Sequence, residues 1–247
     1  MKNLKYAILS LLEKILNPNK NKKYIPGVVL TFDDDFTENW LQTNQLLSKF
    51  NWKATFFVTR FNQLSKNNLN ELMELKKKGH EIAGHGLNHL NAKSFLKEHT
   101  ITEYIDQEIQ SLKNLMQQEG LPITSFAYPY GARNKRTDKI LFKSFQMLRG
   151  TTYRNTKPKY QNCYYEGKKI VNGIGIDNNY SHFSIPFIIS LLEYAKNNNK
   201  ILILYAHNPV EKVVENYQTE HKTLIEICKF IKDNDMKFYT ISELFDF

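Results

Sequence analysis

Cysteine is nearly absent from this chain: Cys163 and Cys228 are the two cysteines in 247 residues. They are far apart, with no metal-ligand partner beside either, so nothing requires a disulfide and the redox compartment stays open. Cys228 falls on a helical stripe and reads as a small buried apolar residue, and Cys163 lies in a polar loop segment. Long apolar runs are missing too. No stretch approaches the roughly 18–20 apolar residues needed to span a bilayer. No Pro-, Ser- or Gly-rich linker or composition break divides the chain, which favours one domain over two small ones. Arginine is scarce. The net charge of +9 comes from lysines scattered among asparagines, and no nucleic-acid motif accompanies them, so we expect no nucleic-acid partner.

The N-terminus also lacks a secretory signal. Its apolar run Tyr6–Leu12 is short, is soon interrupted by Glu13 and Lys14, and has no Ala-x-Ala type cleavage site. Leu4, Ile8, Leu11, Leu12, Ile15 and Leu16 instead form one amphipathic helical face, followed by a basic segment ending at Lys23. Residues 1–24 are therefore expected to be a helix and basic linker docked on a domain of residues 25–247. A cytoplasmic location follows, with a weak membrane-surface contact through residues 1–23 as the second reading.

What is present is alternation. Strand patterns fall near 27–34, 54–59, 80–84, 124–128, 147–153, 169–176, 200–206 and 236–241. Helical stripes lie between them, as at Thr102–Glu119 and Thr219–Asp233. Alternating β and α elements of this length predict an α/β fold with parallel strands in a barrel.

Chemistry gathers where those strands end. Thr31-Phe32-Asp33-Asp34-Asp35 closes the apolar run Gly27-Val28-Val29-Leu30. Three adjacent carboxylates leaving a core cannot all stay ionised unless a cation or proton separates them. After the strand-like His80–Gly84 comes His85-Gly86-Leu87-Asn88-His89, whose two histidines would project from one face of a helical turn. Two imidazoles plus one carboxylate leave positions open for water and substrate, as in a hydrolytic zinc centre. Two more strands end at Ala127-Tyr128-Pro129-Tyr130-Gly131 and at Tyr205-Ala206-His207.

In this order the motifs resemble those of the polysaccharide deacetylases, carbohydrate esterases with a NodB-type domain, and the likeness runs from about residue 25 to 245. Thr31–Asp34 matches Thr-Phe-Asp-Asp-Gly, and His85 and His89 match His-Ser/Thr-x-x-His. Pro129, Tyr130 and Gly131 match an Arg-x-Pro-Tyr-Gly turn, and Tyr205 with His207 matches the last motif. The resemblance implies an irregular (β/α) barrel of seven to eight mostly parallel strands and an N-deacetylase acting on an N-acetylated sugar. It implies that Asp34, His85 and His89 hold a divalent metal, zinc in the first place, with cobalt or nickel also suited to that ligand set. Asp33 would be the general base, the Tyr130 backbone N–H an oxyanion donor, and His207 the acid that protonates the departing amine.

This chain departs from the pattern at several positions. Asp35 replaces a glycine and Gly86 a hydroxyl residue that helps order the metal loop. Ala127 stands where the family has an arginine that steers the catalytic aspartate. Arg149, ending another strand, is the candidate replacement, weighed equally against an ordinary surface arginine. Asp177 is the nearest candidate for a fourth, Asp-x-x-x-Trp type motif. Tyr128, Tyr130 and Tyr205 are candidates for stacking on sugar rings, and core packing would explain each as simply. Two other functions stay open: a C–N amide hydrolase or deformylase for a smaller N-acyl substrate, and a catalytically silent carbohydrate-binding barrel.

Overall fold

The computed structural model describes residues 24–152 and 157–247. The expected N-terminal helix lies outside the described residues. Eight strands stand where the apolar runs placed them: β1 Gly27–Asp34, β2 Thr55–Val58, β3 Glu81–Gly84, β4 Ser125–Ala127, β5 Met147–Thr151, β6 Ile170–Gly175 and β7 Ile201–Ala206, with β10 at Lys237–Tyr239. Their order is β10-β1-β2-β3-β4-β5-β6-β7, and β1 also pairs with β7, closing a parallel barrel. β1 is long enough to serve three neighbours. It pairs with β7 from Gly27 to Phe32, with β2 from Thr31 to Asp34, and with β10 at Gly27 to Val29. The expected α/β barrel of seven to eight parallel strands is borne out.

Barrel strands are buried on both faces, which is why β1 reads as an unbroken apolar run. Alternate residues serve two cores. Val29, Phe57, Ala83, Ala127, Met147 and Ile203 pack together in the interior. Val28, Leu30, Phe32, Phe56 and Val58 pack beneath the surrounding helices. Leu30, Phe32 and Phe56 are each 0–1 % exposed, and each such burial stabilises by about 1.5–3 kcal/mol. The helices that cover the barrel include Thr37–Leu47, Lys66–Lys77, Ile185–Asn197 and His221–Asp233. Among the described residues, no helix is long and apolar enough to cross a membrane.

Three local expectations need correction. The helix expected from Thr219 starts at His221, because Gln218–Glu220 (β9) pairs with Asn208–Val210 (β8) in a small second sheet. Strands this short show no alternation that a sequence pattern could register. The helix expected over Thr102–Glu119 is present but carries a π-helical turn at Ile105–Gln110. Finally, His85–His89 is an irregular loop and not a helical turn, with Gly86 at φ 79 and His89 at φ 57.

Candidate active site

The C-terminal ends of the barrel strands surround a cavity of about 410 Å³. Asp33, Asp34, His85, His89, Tyr130, Arg149, Tyr205 and His207 all line it. Pro129 is buried and starts the 3₁₀ turn Pro129–Gly131 that carries Tyr130.

One part of the cavity is a candidate metal centre. Ligand atoms of Asp34, His85 and His89 lie within 4.8 Å of one another. Asp34 Oδ1 is 3.3 Å from His89 Nε2 and 3.9 Å from His85 Nε2. Separations of that order suit donors about 2.0–2.2 Å from a shared zinc ion. His85 Nδ1 meets the Ala127 carbonyl at 2.9 Å. A carbonyl only accepts, so Nδ1 carries the hydrogen and Nε2 offers its lone pair toward Asp34. Burial pulls the His85 pKa down to about 3, against the opposing pull of Asp33, so the ring stays neutral and able to ligate. Burial, with Asp33 and Asp35 adding, pushes Asp34 up to about 6 although His207 pulls the other way. Asp34 Oδ1 is a buried oxygen with no hydrogen-bond partner among the described residues. Buried carboxylate oxygens are ordinarily satisfied, and a cation between Asp34 and the two imidazoles would satisfy this one. Asp34 also holds φ 85 at the end of β1, an uncommon conformation for a residue with a side chain.

Asp33, one residue earlier on the alternating strand, faces the barrel interior. Its Oδ1 accepts a hydrogen bond from Arg149 Nη2. Arg149 is fully buried, so the surface-arginine reading is overturned. Its guanidinium lies 5.1 Å from the Phe57 ring centre and 5.2 Å from that of Tyr205, where ring faces favour a cation. Arg149 is the register partner of Ala127 across β4 and β5, so this guanidinium stands one strand over from the motif position. Ala83 and Ala127 both contribute small side chains to the same interior cluster. Burial pushes the Asp33 pKa up, but Arg149 above all, with His207, outweighs it and holds the carboxyl below its usual range.

His207 follows β7 directly and lines the same cavity. Its Nδ1 lies 2.6 Å from Asp177 Oδ2, and its backbone N–H donates to Asp177 Oδ1 at 3.1 Å. Thr219 Oγ1 donates to that same oxygen at 2.7 Å. Burial pulls His207 down, but the hydrogen bond and charge of Asp177, with Asp33 and Asp34, outweigh it and raise the pKa. Asp177 thus holds the imidazole in one tautomer with Nε2 free of it. The motif-level candidate for Asp177 carried no companion in the sequence; the partner is supplied by the strand pairing of β6 with β7.

The rim is aromatic. Tyr130 is 63 % exposed at φ 59, and Tyr217 is 52 % exposed at φ 59. The Tyr130 ring sits 4.7 Å from His89, and that of Tyr217 sits 5.1 Å from His207. Tyr128 offers no stacking face, being fully buried with its hydroxyl donating to Asp138 at 2.9 Å. Tyr205 is a nearly buried wall residue. Sequence reasoning missed Tyr217, Tyr180 and Arg60, which also line the cavity. No local pattern marks them, because they arrive on connecting segments whose course the packing sets.

A family model described as polysaccharide deacetylase matches residues 20–144, which hold Asp33, Asp34, His85, His89 and the Pro129–Gly131 turn. The chain belongs to the polysaccharide deacetylase family. Over 139 residues it is 27% identical to "Putative polysaccharide deacetylase YxkH" of Bacillus subtilis (strain 168), covering 56% of this chain and 48% of that protein. It therefore spans about half the length of that curated relative. Among solved structures it is similar to the Xyl-CE4 domain of a multidomain xylanase from the hindgut metagenome of Trinervitermes trinervoides. The TM-score is 0.59 at 20% identity, with 90% of this chain and 91% of that one covered. It is also similar to the chitin deacetylase of the fungal pathogen Colletotrichum lindemuthianum, with TM-score 0.56 and 20% identity over 90% of this chain and 88% of that one. At such identities these structures establish the deacetylase barrel and nothing finer.

Proposed function

We propose that this deacetylase-family chain removes the N-acetyl group from an N-acetylated sugar of a glycan or glycan precursor. The observation that supports it best is the convergence, on one cavity, of the Asp34–His85–His89 cluster, an Arg149-paired Asp33 and an Asp177-paired His207. A divalent cation, zinc first among the candidates, would supply an acidified water and a Lewis acid for the amide carbonyl. Asp33 is anionic through its pairing with Arg149, and its Oδ2 would accept the proton of an attacking water. The Tyr130 backbone N–H donates to the oxyanion that develops on the carbonyl oxygen. His207 Nε2 gives its proton to the departing nitrogen, because an amide nitrogen does not leave as an anion. Tyr130 and Tyr217 offer exposed ring faces to sugar rings on either side of the cavity.

The test is acetate and formate release from a panel of N-acylated sugars, oligosaccharides and glycan precursors, with chelated and zinc-reloaded protein. Acetate that appears with zinc and disappears with chelator supports the assignment. Formate alone would move it to a deformylase, and tight glycan binding without turnover would make the barrel a binding module.

The pairing of Asp177 with His207 yields a pH prediction. His207 must be protonated to act as acid, so activity falls as pH rises through its pKa. Asp177 raises that pKa and keeps the acid form to higher pH. Asp177→Asn removes the raising charge, so the alkaline limb of kcat/KM should move down by about 1–2 pH units. A pH–rate profile with an unmoved alkaline limb would assign the proton donor elsewhere.

A further inference from the structure

Outside the strand-end residues, one buried carboxylate is built into the same site from a helix. Glu108 is fully buried and lies on the π-helical turn Ile105–Gln110. Its Oε1 accepts from Asn88 N–H at 2.7 Å, and its Oε2 accepts from Leu90 N–H at 3.0 Å. Its backbone carbonyl accepts from Leu87 N–H at 3.1 Å. Asn88 and Leu90 are the residues on either side of His89. Glu108 thus grips the backbone before and after an imidazole whose own φ, at 57, lies in the left-handed region.

Two features show that this grip is built and not incidental. The first is the π turn, which lodges an extra residue in the helix at this place. It lets Glu108 reach the loop while Leu112 and Met116 keep their places in the core. The second is Gly86. A Cβ there would stand 2.4 Å from Glu108 Oε2, so the carboxylate occupies the space that any other side chain at 86 would need. From the other side, Thr59 Oγ1 donates to the Gly86 carbonyl at 2.7 Å and Arg60 N–H donates to the Leu87 carbonyl at 3.0 Å. The loop is held by the residues that follow β2 and by the helix, where Glu108 takes three of its backbone N–H groups and Asn88 Nδ2 adds one longer bond to the Gln107 carbonyl at 3.4 Å.

We infer that Glu108 is the positioning residue of the metal centre, clamping the backbone on both sides of His89 so that its Nε2 faces Asp34. The inference rests on the metal reading proposed above. Charge-assisted bonds from two backbone N–H groups are stronger than neutral ones, and a loop with a left-handed histidine needs such an anchor to hold one conformation. Groups that orient a ligand from behind ordinarily set metal affinity by about 10–100-fold.

The experiment is zinc titration of the apo protein in competition with a chromophoric chelator, read alongside the thermal melt of the same apo protein. Glu108→Gln keeps the shape but turns one acceptor into a donor facing a backbone N–H, and should weaken zinc binding by about 10–100-fold. Glu108→Ala should weaken it at least as much; if that variant does not fold, Glu108→Gln carries the test. Gly86→Ala should weaken zinc by crowding the carboxylate, and should cost less when Glu108 is already Ala, since the strain of φ 79 is common to both arms. Zinc affinity equal to wild type in a folded Glu108→Gln protein, whatever its melting temperature, would overturn the inference while leaving the metal reading intact. A wild-type protein that does not bind zinc would overturn both.

Discussion

Asp33→Asn is expected to lower kcat for N-deacetylation by about 10²–10⁴-fold, the range for loss of a general base. The amide keeps the size of the carboxyl and still accepts from Arg149, so the cavity should keep its shape. It cannot take a proton at working pH. Asp33 is not in the metal cluster, so zinc affinity should change far less than turnover. Steady-state kinetics on the zinc-loaded variant, with a chelator competition run in parallel, separate the two effects. Turnover within tenfold of wild type would leave Asp33 a structural partner of Arg149 and move the base elsewhere. Some loss of stability should accompany the substitution, since Arg149 would then be buried beside a neutral group.

The barrel was legible because parallel strands buried on both faces must be apolar throughout. Val28–Phe32 and Ile201–Ala206 admit hardly any other reading. The chemistry at the strand ends was legible for the same reason, since acids and histidines interrupt runs that are otherwise uniform. Asp33, Asp34, His85, His89 and His207 all reach one cavity. The local backbone was not legible in the same way. A spacing of four between His85 and His89 suggests a helical turn, yet the loop brings both rings together through the positive φ of Gly86 and His89. Two different geometries satisfy one spacing.

Contacts between residues distant in sequence were harder still. Arg149 interrupts a short strand at the third of its five residues, where sequence alone weighs a surface residue and a core cation equally. The decision comes from the register that sets it beside Ala127 and opposite Asp33. Glu108 carries no mark in the sequence that separates it from the other polar residues of its helix, and its partners come from a loop about twenty residues earlier. Tyr217 sits in the turn just before β9 and Thr219 within it, and the strands of that small sheet are too short to leave a pattern. The site was therefore visible where side-chain type conflicts with its surroundings. It was hidden where tertiary packing, and not composition, creates the partner.

Arg149→Met should destabilise the apo protein by about 3–5 kcal/mol, the cost of removing one member of a buried ion pair and leaving the other behind. Met fills much of the same volume between Phe57 and Tyr205, so a cavity adds little to that figure. The loss comes from Asp33, which would keep its burial without its nearest cation. Its pKa, now held low, should rise above the ordinary carboxylate range, because burial then outweighs what His207 contributes. The sign of the pH effect follows. In the wild type the depressed pKa stabilises the fold above about pH 4, and this is lost as pH falls through the folded value. In the variant that stabilisation is gone at neutral pH, and the acid limb of kcat/KM should move upward because the base is protonated sooner. Urea unfolding of the apo protein measures the first effect and a pH–rate profile the second. The double variant Asp33→Asn/Arg149→Met should unfold at higher urea than Arg149→Met alone, because an unpaired buried charge is replaced by a neutral group. Additive losses in that cycle, with an acid limb that stays in place, would mean that Arg149 packs beside Asp33 without setting its charge.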